Sequence, residues 1–183
     1  MTQVRRIIFS GAPGAGKTTL LDTLAARGHC VLEESARAII RERLARKLPP
    51  RPAPREFAAE VMRRDIKNFR KALAVPDQVF FDRAIPDAMC MLDQAAPLGR
   101  RRIETLAGRF AYHPQVFMFP PWEAIYCTDA ERDQTFADAI EVFRMLCAWY
   151  RQCGYTVVEM PLASGDQRCD FVLEILDQGR SVA

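Results

Sequence analysis

The sequence predicts an α/β sandwich in which helices cover both faces of a parallel sheet. Five short apolar segments alternate with segments of helical pattern. Two of these segments, residues 79–81 and 116–119, are continuously apolar, which is typical of strands buried on both faces. A glycine-rich segment, residues 11–18, follows the first apolar run. These observations predict three layers, with a ligand-binding turn directly after the first strand.

The predicted strands are the five apolar runs at residues 5–10, 29–33, 78–82, 115–119 and 155–160. The first helix is expected to run from residue 17 to about residue 27, where a glycine follows. A second helix is expected to begin near residue 34, and the proline-rich residues 48–54 are expected to interrupt helical structure.

The remaining helices are predicted from apolar spacing and capping patterns. Phe57, Val61, Ile66, Phe69 and Leu73 lie roughly on one face of a helix. Capping boxes at residues 128–131 and 164–167 are expected to start a long helix, about 130–152, and a last amphipathic helix.

Length and composition fit one domain with a lid-like loop at about residues 120–132. The chain has 183 residues, of which 49% are hydrophobic, so it can bury a substantial core. Its net charge of +3 is too mild to indicate a nucleic-acid partner. The six cysteines have no Cys-x-x-Cys spacing, and no apolar run has the length of a membrane span. We therefore expect a cytoplasmic monomer or homodimer with free thiols.

The glycine-rich segment has the spacing of a phosphate-binding loop, namely glycine, four residues, then Gly-Lys-Thr, between a strand and a helix. Such a loop directs backbone N–H groups and a helix N-terminus at an anion. We expect Lys17 to contact the terminal phosphates and Thr18 to bind Mg²⁺. The predicted ligand is ATP, with GTP as the alternative, and the predicted contacts are Gly11, Ala12, Pro13, Gly14, Ala15, Gly16, Lys17, Thr18 and Thr19.

Acidic residues end the second and third predicted strands, at the sheet edge where ligands bind in parallel sheets. Asp82 closes an apolar strand, so we expect it to bind the metal or act as a base, with a helix N-cap as its alternative role. Arg83 is placed to contact a phosphate or to pair with an acid. Either Glu33 or Glu34 faces the site, and Glu34 is preferred as general base or acceptor contact, with Arg37 one turn later as its partner.

An arginine early in the long helix completes the candidate catalytic set of Lys17, Glu34, Asp82 and Arg132. In phosphoryl-transfer enzymes an arginine on a mobile lid neutralises charge on the transferred group. The nearby acids Asp129 and Glu131 are placed to hold Arg132 when the lid is open. A surface cluster of charges is the alternative interpretation.

Five segments of the chain resemble a family of small P-loop ATPases that includes the ribosylnicotinamide-kinase-like domain of NadR-type proteins and is loosely labelled an AAA-type ATPase domain. The segments are GAPGAGKTT, LEESARAII, FFDRAIPDA, MFPPWEAIYCTDAERDQTF and GYTVVEMP. The resemblance implies a P-loop fold of the nucleoside- and nucleotide-kinase type, with five parallel strands in the order 2-3-1-4-5. It also implies that Arg37 and Arg83, with the lid residues Glu123, Tyr126 and Asp129, contact the acceptor or phosphates.

Two functions remain open from the sequence. The first is a small-molecule kinase that transfers the γ-phosphate of ATP·Mg²⁺ to an unidentified acceptor. The second is a nucleotide-hydrolysing switch, or a nucleotide-binding module, without a small-molecule acceptor. No segment of this sequence resembles the adenylyltransferase domain to which NadR-type proteins join this domain, so the resemblance does not identify the acceptor.

Overall fold

The computed structural model describes residues 6–126 and 135–178, and it contains the predicted parallel sheet. Five strands lie in the order β2-β3-β1-β4-β5, and every neighbouring pair is parallel. The predicted strand order is therefore confirmed, and each predicted strand boundary is within one residue of the observed one. The strands are β1 Arg6–Gly11, β2 Cys30–Leu32, β3 Val79–Asp82, β4 Gln115–Phe119 and β5 Thr156–Glu159.

Helices connect the strands and cover both faces of the sheet. They are α1 Lys17–Ala26, α2 Ser35–Ala45, α3 Pro54–Ala72, α4 Ile85–Ala95, α5 Arg100–Arg109, α6 Phe136–Gln152 and α7 Gly165–Gln178, with a 3-10 turn at Glu123–Ile125. Within the two described ranges, none of these helices combines the length and the apolar character needed to cross a membrane.

Two details of the predicted helices are corrected. The described part of α6 starts at Phe136, where Thr135 and Asp138 form the capping box through mutual side-chain and backbone hydrogen bonds. Residues 128–131, the predicted cap, lie outside the described residues. Thr135 is not helical, so the helix predicted over about 130–152 is corrected to a start at Phe136. Leu73 is the C-cap residue of α3 and is 54% exposed, so it is not part of the buried face of this helix. The Ser164–Gln167 cap of α7 is confirmed.

The sheet separates two hydrophobic cores because the central strands are apolar on both faces. Phe9, Phe80, Phe117 and Phe119 pack on the side of α1 and α7. The opposite face packs against α3, α4 and α6. The indole of Trp149 in α6 donates a hydrogen bond to the carbonyl of Pro86 in α4, at 2.8 Å, and so joins two helices of this second layer. The parallel pairing of β3 with β1 and with β2 places the carboxyl ends of these three strands side by side.

Candidate functional site

The glycine-rich loop begins where β1 meets β4. Gly11 has a φ of 125°, and a Cβ there would lie 2.3 Å from the carbonyl oxygen of Phe119, so this position requires glycine. The N–H of Ala12 donates to the same carbonyl at 2.9 Å. Gly14 and Gly16 also have positive φ values, 72° and 78°, which turn the loop into the start of α1. The loop is thus held at one end by the sheet and at the other by a helix N-terminus.

A cavity of about 910 Å³ opens between this loop and the carboxyl ends of β2 and β3. Residues 13–19 line it, so seven of the nine predicted loop residues face the cavity. Gly11 and Ala12 lie beneath the loop against β4 instead, where they support it. The 910 Å³ is within the range of small-molecule binding sites.

The ammonium group of Lys17 lies inside this cavity wall, with the residue only 6% exposed. Its Nζ donates to the carbonyl of Ala12 at 2.8 Å, which folds the side chain back over its own loop. Burial, reinforced by the positive charge of Arg83, lowers the pKa of Lys17 to about 8. A polyanion in the cavity would favour the charged form of this lysine.

Asp82, at the end of β3, presents a buried carboxylate oxygen to the same cavity. The residue is 6% exposed, and its Oδ1 has no hydrogen-bond partner among the described residues. Burial, reinforced by the charge of Glu34, raises the pKa of Asp82 to about 6. The N-cap of α4 is Ala84, so capping does not explain Asp82.

Asp82 therefore fits the role of an oxygen ligand to a cation. Within the described ranges no cluster of three or more acidic, histidine or cysteine side chains is placed to enclose a metal. Magnesium in nucleotide sites needs no such cluster, because it takes one or two protein oxygens and completes its shell with phosphates and water. Thr18 lines the cavity with Asp82 and fits the role of second oxygen ligand.

Asp87 was not predicted from the sequence, yet it organises this edge of the site. Its carboxylate accepts hydrogen bonds from the hydroxyls of Ser10 and Tyr150, at 2.5 and 2.6 Å, and from the N–H of Ala84 at 3.0 Å. It also accepts from the guanidinium of Arg83 at 3.0 Å. Its only sequence signal is an acid three residues after the N-cap residue of α4, a common capping position.

Arg83 is held from three directions at the end of β3. Besides Asp87, its guanidinium donates to the carbonyl of Gly11 at 3.0 Å and lies 3.5 Å from a carboxylate oxygen of Glu34. Burial opposes its charge, but the surrounding carboxylates raise the pKa of Arg83 above its ordinary value. Its backbone φ is 59°, a strained value for a residue with a side chain.

The structure distinguishes the two acids after β2. Glu34 lines the cavity and pairs with Arg37 at 3.8 Å, as expected from their spacing. Glu33 is 68% exposed at its side chain and pairs with Arg41 at 2.5 Å. Glu34 is the N-cap residue of α2, and its carboxylate faces the strand ends rather than capping the helix.

Arg168 was also missed by the sequence reasoning. This residue of α7 is 2% exposed, donates to the carbonyl of Ala15 at 2.9 Å, and stacks on the ring of Trp122 at 4.8 Å. Burial lowers its pKa, and its Nη2 finds no hydrogen-bond partner in the described part of the chain. Arg168 and Trp122 both line the cavity beside the glycine-rich loop.

Two of the predicted lid contacts, Glu123 and Tyr126, do not line the cavity. Glu123 is exposed and Tyr126 packs edge-on against Phe136, and neither is among the described residues that line the cavity. Asp129 and Arg132 lie outside the described residues, so the structure gives no position for them.

The far half of the cavity is formed by helices. Phe57, Val61 and Asp65 of α3 line it at four-residue spacing, facing Met91 of α4 and Leu146 of α6. Asp65 is 6% exposed, and the sequence signal for it was an acid in register with an apolar stripe. Burial, reinforced by the charges of Asp87 and Glu34 and opposed by a hydrogen bond to Ser35, raises the pKa of Asp65 to about 7.

Solved structures with this fold include small-molecule kinases. A deoxyadenosine kinase from M. mycoides has a TM-score of 0.64 at 11% identity, with 94% of this chain and 99% of that chain covered. A shikimate kinase from Acinetobacter baumannii, in complex with shikimate, has a TM-score of 0.56 at 16% identity, with 97% and 95% covered. A thymidylate kinase from Candida albicans has a TM-score of 0.57 at 12% identity, with 97% and 92% covered. At these identities the likeness shows a shared P-loop kinase fold.

No curated protein matches the chain in sequence. A family model described as an AAA domain matches residues 6–168, which include the glycine-rich loop, Glu34, Asp82 and Arg168. The chain therefore belongs to this AAA domain family of P-loop proteins.

Proposed function

We propose that the protein is a small-molecule kinase that transfers the γ-phosphate of ATP·Mg²⁺ to a hydroxyl group. One observation carries the proposal: a single cavity joins the glycine-rich loop to a helical chamber, and Lys17, Asp82 and Glu34 meet at the junction. A protein that only binds or hydrolyses nucleotide needs no chamber beyond the terminal phosphate. The kinases among the solved structures of this fold support the same function.

Each residue at the junction has a proposed role. The N–H groups of the loop and Lys17 bind the β- and γ-phosphates, which offsets the cost of burying the lysine. Asp82 and Thr18 hold Mg²⁺, which neutralises charge as the phosphoryl group moves. Glu34 orients the acceptor hydroxyl and accepts its proton, while Arg83 fixes the position of Glu34.

The nucleobase is proposed to lie at the opposite end of the loop, beside Trp122 and Arg168. The ring of Trp122 matches the flat face of a purine, and the Arg168 guanidinium, which has an unused donor, matches its polar edge. ATP is proposed over GTP, and Arg132 with Asp129 is proposed to act as a lid over the phosphates. Nicotinamide riboside is one acceptor to test, because of the resemblance to NadR-type kinases.

Nucleotide binding and phosphoryl transfer can be tested separately. Calorimetry with ATP and Mg²⁺ should show binding that Lys17→Ala weakens at least tenfold. Asp82→Asn should retain measurable nucleotide binding but lower turnover by about a hundredfold or more. Asp77→Asn is the matched control, because Asp77 is exposed and remote from the cavity lining.

The acceptor is identified by incubating the protein with γ-labelled ATP and a metabolite library. A labelled small molecule whose formation depends on Lys17 and Asp82 supports the kinase. Hydrolysis stimulated by a protein partner, with no labelled small molecule, would instead establish the regulatory switch. Folded protein that binds neither ATP nor GTP with Mg²⁺ would overturn both functions.

A further inference from the structure

The helical chamber carries information about the acceptor that the junction does not. It is the part of the 910 Å³ cavity lined by α3, α4 and α6, away from the glycine-rich loop. Apolar side chains form most of its surface, including Phe57, Val61, Met91, Val142, Met145 and Leu146. Such a wall favours a ligand with an apolar, ring-sized body rather than a fully hydroxylated one.

The charged side chains that the described helices α3, α4 and α6 contribute to the chamber lining are all acidic. Among the described residues, α3, α4 and α6 contribute two carboxyl groups to the lining, Asp65 and Asp87, and no lysine or arginine. Asp87 is already engaged by Arg83, Ser10 and Tyr150. A phosphate or carboxylate on the acceptor would therefore be buried beside Asp65 without a cation from these helices, which is costly in a poorly solvated site.

The arginines nearer the junction do not add a positive charge beside Asp65, because their positions and contacts are elsewhere. Arg83 bonds to Asp87 and to the Gly11 carbonyl, and Arg37 pairs with Glu34. Arg51, on the connector before α3, is exposed at the rim of the cavity. The helices of the chamber thus contribute apolar side chains and two carboxyl groups, of which Asp87 is already engaged, while the arginines that line the cavity come from the other elements and from the connector before α3.

Asp65 is placed to recognise a polar edge of the acceptor. It lies on the same face of α3 as Phe57 and Val61, so a ring packed on those side chains would bring its edge to this carboxyl group. Asn68, one turn later, donates to the Ser35 hydroxyl at 3.3 Å, which keeps these polar groups together at one place in the wall.

We propose that the acceptor is an unphosphorylated, nucleoside-like molecule, an apolar ring joined to a neutral hydroxyl-bearing group, and that Asp65 selects it by binding an N–H group on the ring. The inference rests on the proposed kinase function, since the same cavity must hold the hydroxyl near Glu34. It excludes nucleoside monophosphates and small hydroxy acids as acceptors. Asp65 is then a specificity-determining residue outside the phosphate-binding machinery.

Matched ligands test this proposal by calorimetry on protein saturated with Mg²⁺ and a non-hydrolysable ATP analogue. The ligands are adenosine, cytidine and thymidine, each beside its own 5′-monophosphate, and shikimate as a hydroxy acid. At least one nucleoside should bind at least tenfold more tightly than its monophosphate and than shikimate. Asp65→Asn should weaken that binding about tenfold, the value of one charge-assisted hydrogen bond, and Asp77→Asn should leave it unchanged.

Each contrary result has its own meaning. Tighter binding of a monophosphate or of shikimate, no binding of any nucleoside, or equal affinities in wild type and Asp65→Asn would overturn the inference. Binding of a nucleoside without transfer of phosphate from ATP would instead overturn the kinase function and leave the assigned ligand class standing. In steady-state assays Asp65→Asn should raise KM for the nucleoside while kcat changes less than about threefold, because Asp65 lies away from the reacting groups.

Discussion

The guanidinium of Arg83 donates to the carboxylate of Asp87, one helical turn away, at 3.0 Å. The same carboxylate accepts from two hydroxyls and a backbone N–H, so four donors, from β1, from α6 and from the two residues between β3 and α4, converge on it. Because Arg83 in turn lies beside Glu34, we expect Asp87 to act on the proposed general base through Arg83. Asp87 is therefore a positioning residue.

Removing the carboxylate should destabilise the protein strongly. Asp87→Ala leaves a buried guanidinium and two buried hydroxyls without their acceptor, so we expect a loss of about 3 kcal/mol in the free energy of unfolding. Tyr150→Phe removes one of the four donors and should cost about 1 kcal/mol. Urea denaturation measures both, with Asp77→Ala expected within about 0.5 kcal/mol of wild type. Equal stabilities of Asp87→Ala and Asp77→Ala would contradict this role.

Two glycines with positive φ offer a matched test of the loop. Gly28 has a φ of 87° and open space where a Cβ would lie, so Gly28→Ala should cost about 1 kcal/mol from backbone strain alone. Gly11→Ala adds a clash with the Phe119 carbonyl and should cost more than about 3 kcal/mol, or prevent folding. Thermal unfolding compares the pair. A Gly11→Ala protein as stable as Gly28→Ala would show that the loop can move away from β4.

The proposed nucleobase site beside Trp122 makes a prediction that separates contacts to the nucleobase from contacts to the phosphates. Trp122→Ala should weaken ATP binding about tenfold, because it removes the ring on which Arg168 stacks and against which the nucleobase is proposed to lie. Affinity for inorganic tripolyphosphate with Mg²⁺ should stay the same in this variant. Lys17→Ala should weaken both ligands. Calorimetry that finds equal losses for ATP and tripolyphosphate in Trp122→Ala would place the base elsewhere.

Asp65 should make stability depend on pH. The pKa of Asp65 rises from 3.8 to about 7 on folding. At pH values between these two, Asp65 is protonated in the native state and ionised in the unfolded state. Stability contributed at this position therefore falls as pH rises from about 4 to about 7. The groups that set its charge are Glu34, Asp87 and Arg64, with the Ser35 hydroxyl as hydrogen-bond partner.

Asp65→Asn removes this dependence, since the amide is neutral at all these values. Above about pH 7 the variant should be more stable than wild type by about 4 kcal/mol, and the difference should disappear near about pH 4. Urea denaturation across this pH range measures it. A constant difference at all pH values would show that Asp65 does not carry an elevated pKa.

The sequence was sufficient for the sheet and for the position of the glycine-rich loop and Asp82 at its carboxyl edge. Continuous apolar strands and a glycine-rich loop are local patterns, so β1, β3 and β4, the loop and the acid Asp82 could be predicted from neighbouring residues. Which of Glu33 and Glu34 faces the cavity could not be predicted in this way, because it depends on the direction that α2 takes after β2.

The residues that were missed act through contacts distant in sequence. Arg168 reaches the loop carbonyl of Ala15 across 153 positions, and Tyr150 reaches Asp87 across 63. Asp65 lies in a helix whose pattern predicts only an apolar face, and its environment is set by α2 and by the strand ends. No spacing rule connects such pairs, so the chamber and its specificity could be described only from the folded structure.

The consecutive residues Trp149 and Tyr150 tether α6 to the first turn of α4, through Pro86 and Asp87. Separating these helices would break two buried bonds at a cost of about 2 kcal/mol. The connector at residues 46–53, between α2 and α3, is mostly exposed, and its Pro49 carbonyl accepts a hydrogen bond from Arg43 of α2 itself. These two bonds therefore make α4 and α6 one joined wall of the chamber, whereas the connector that leads into α3 is exposed to solvent.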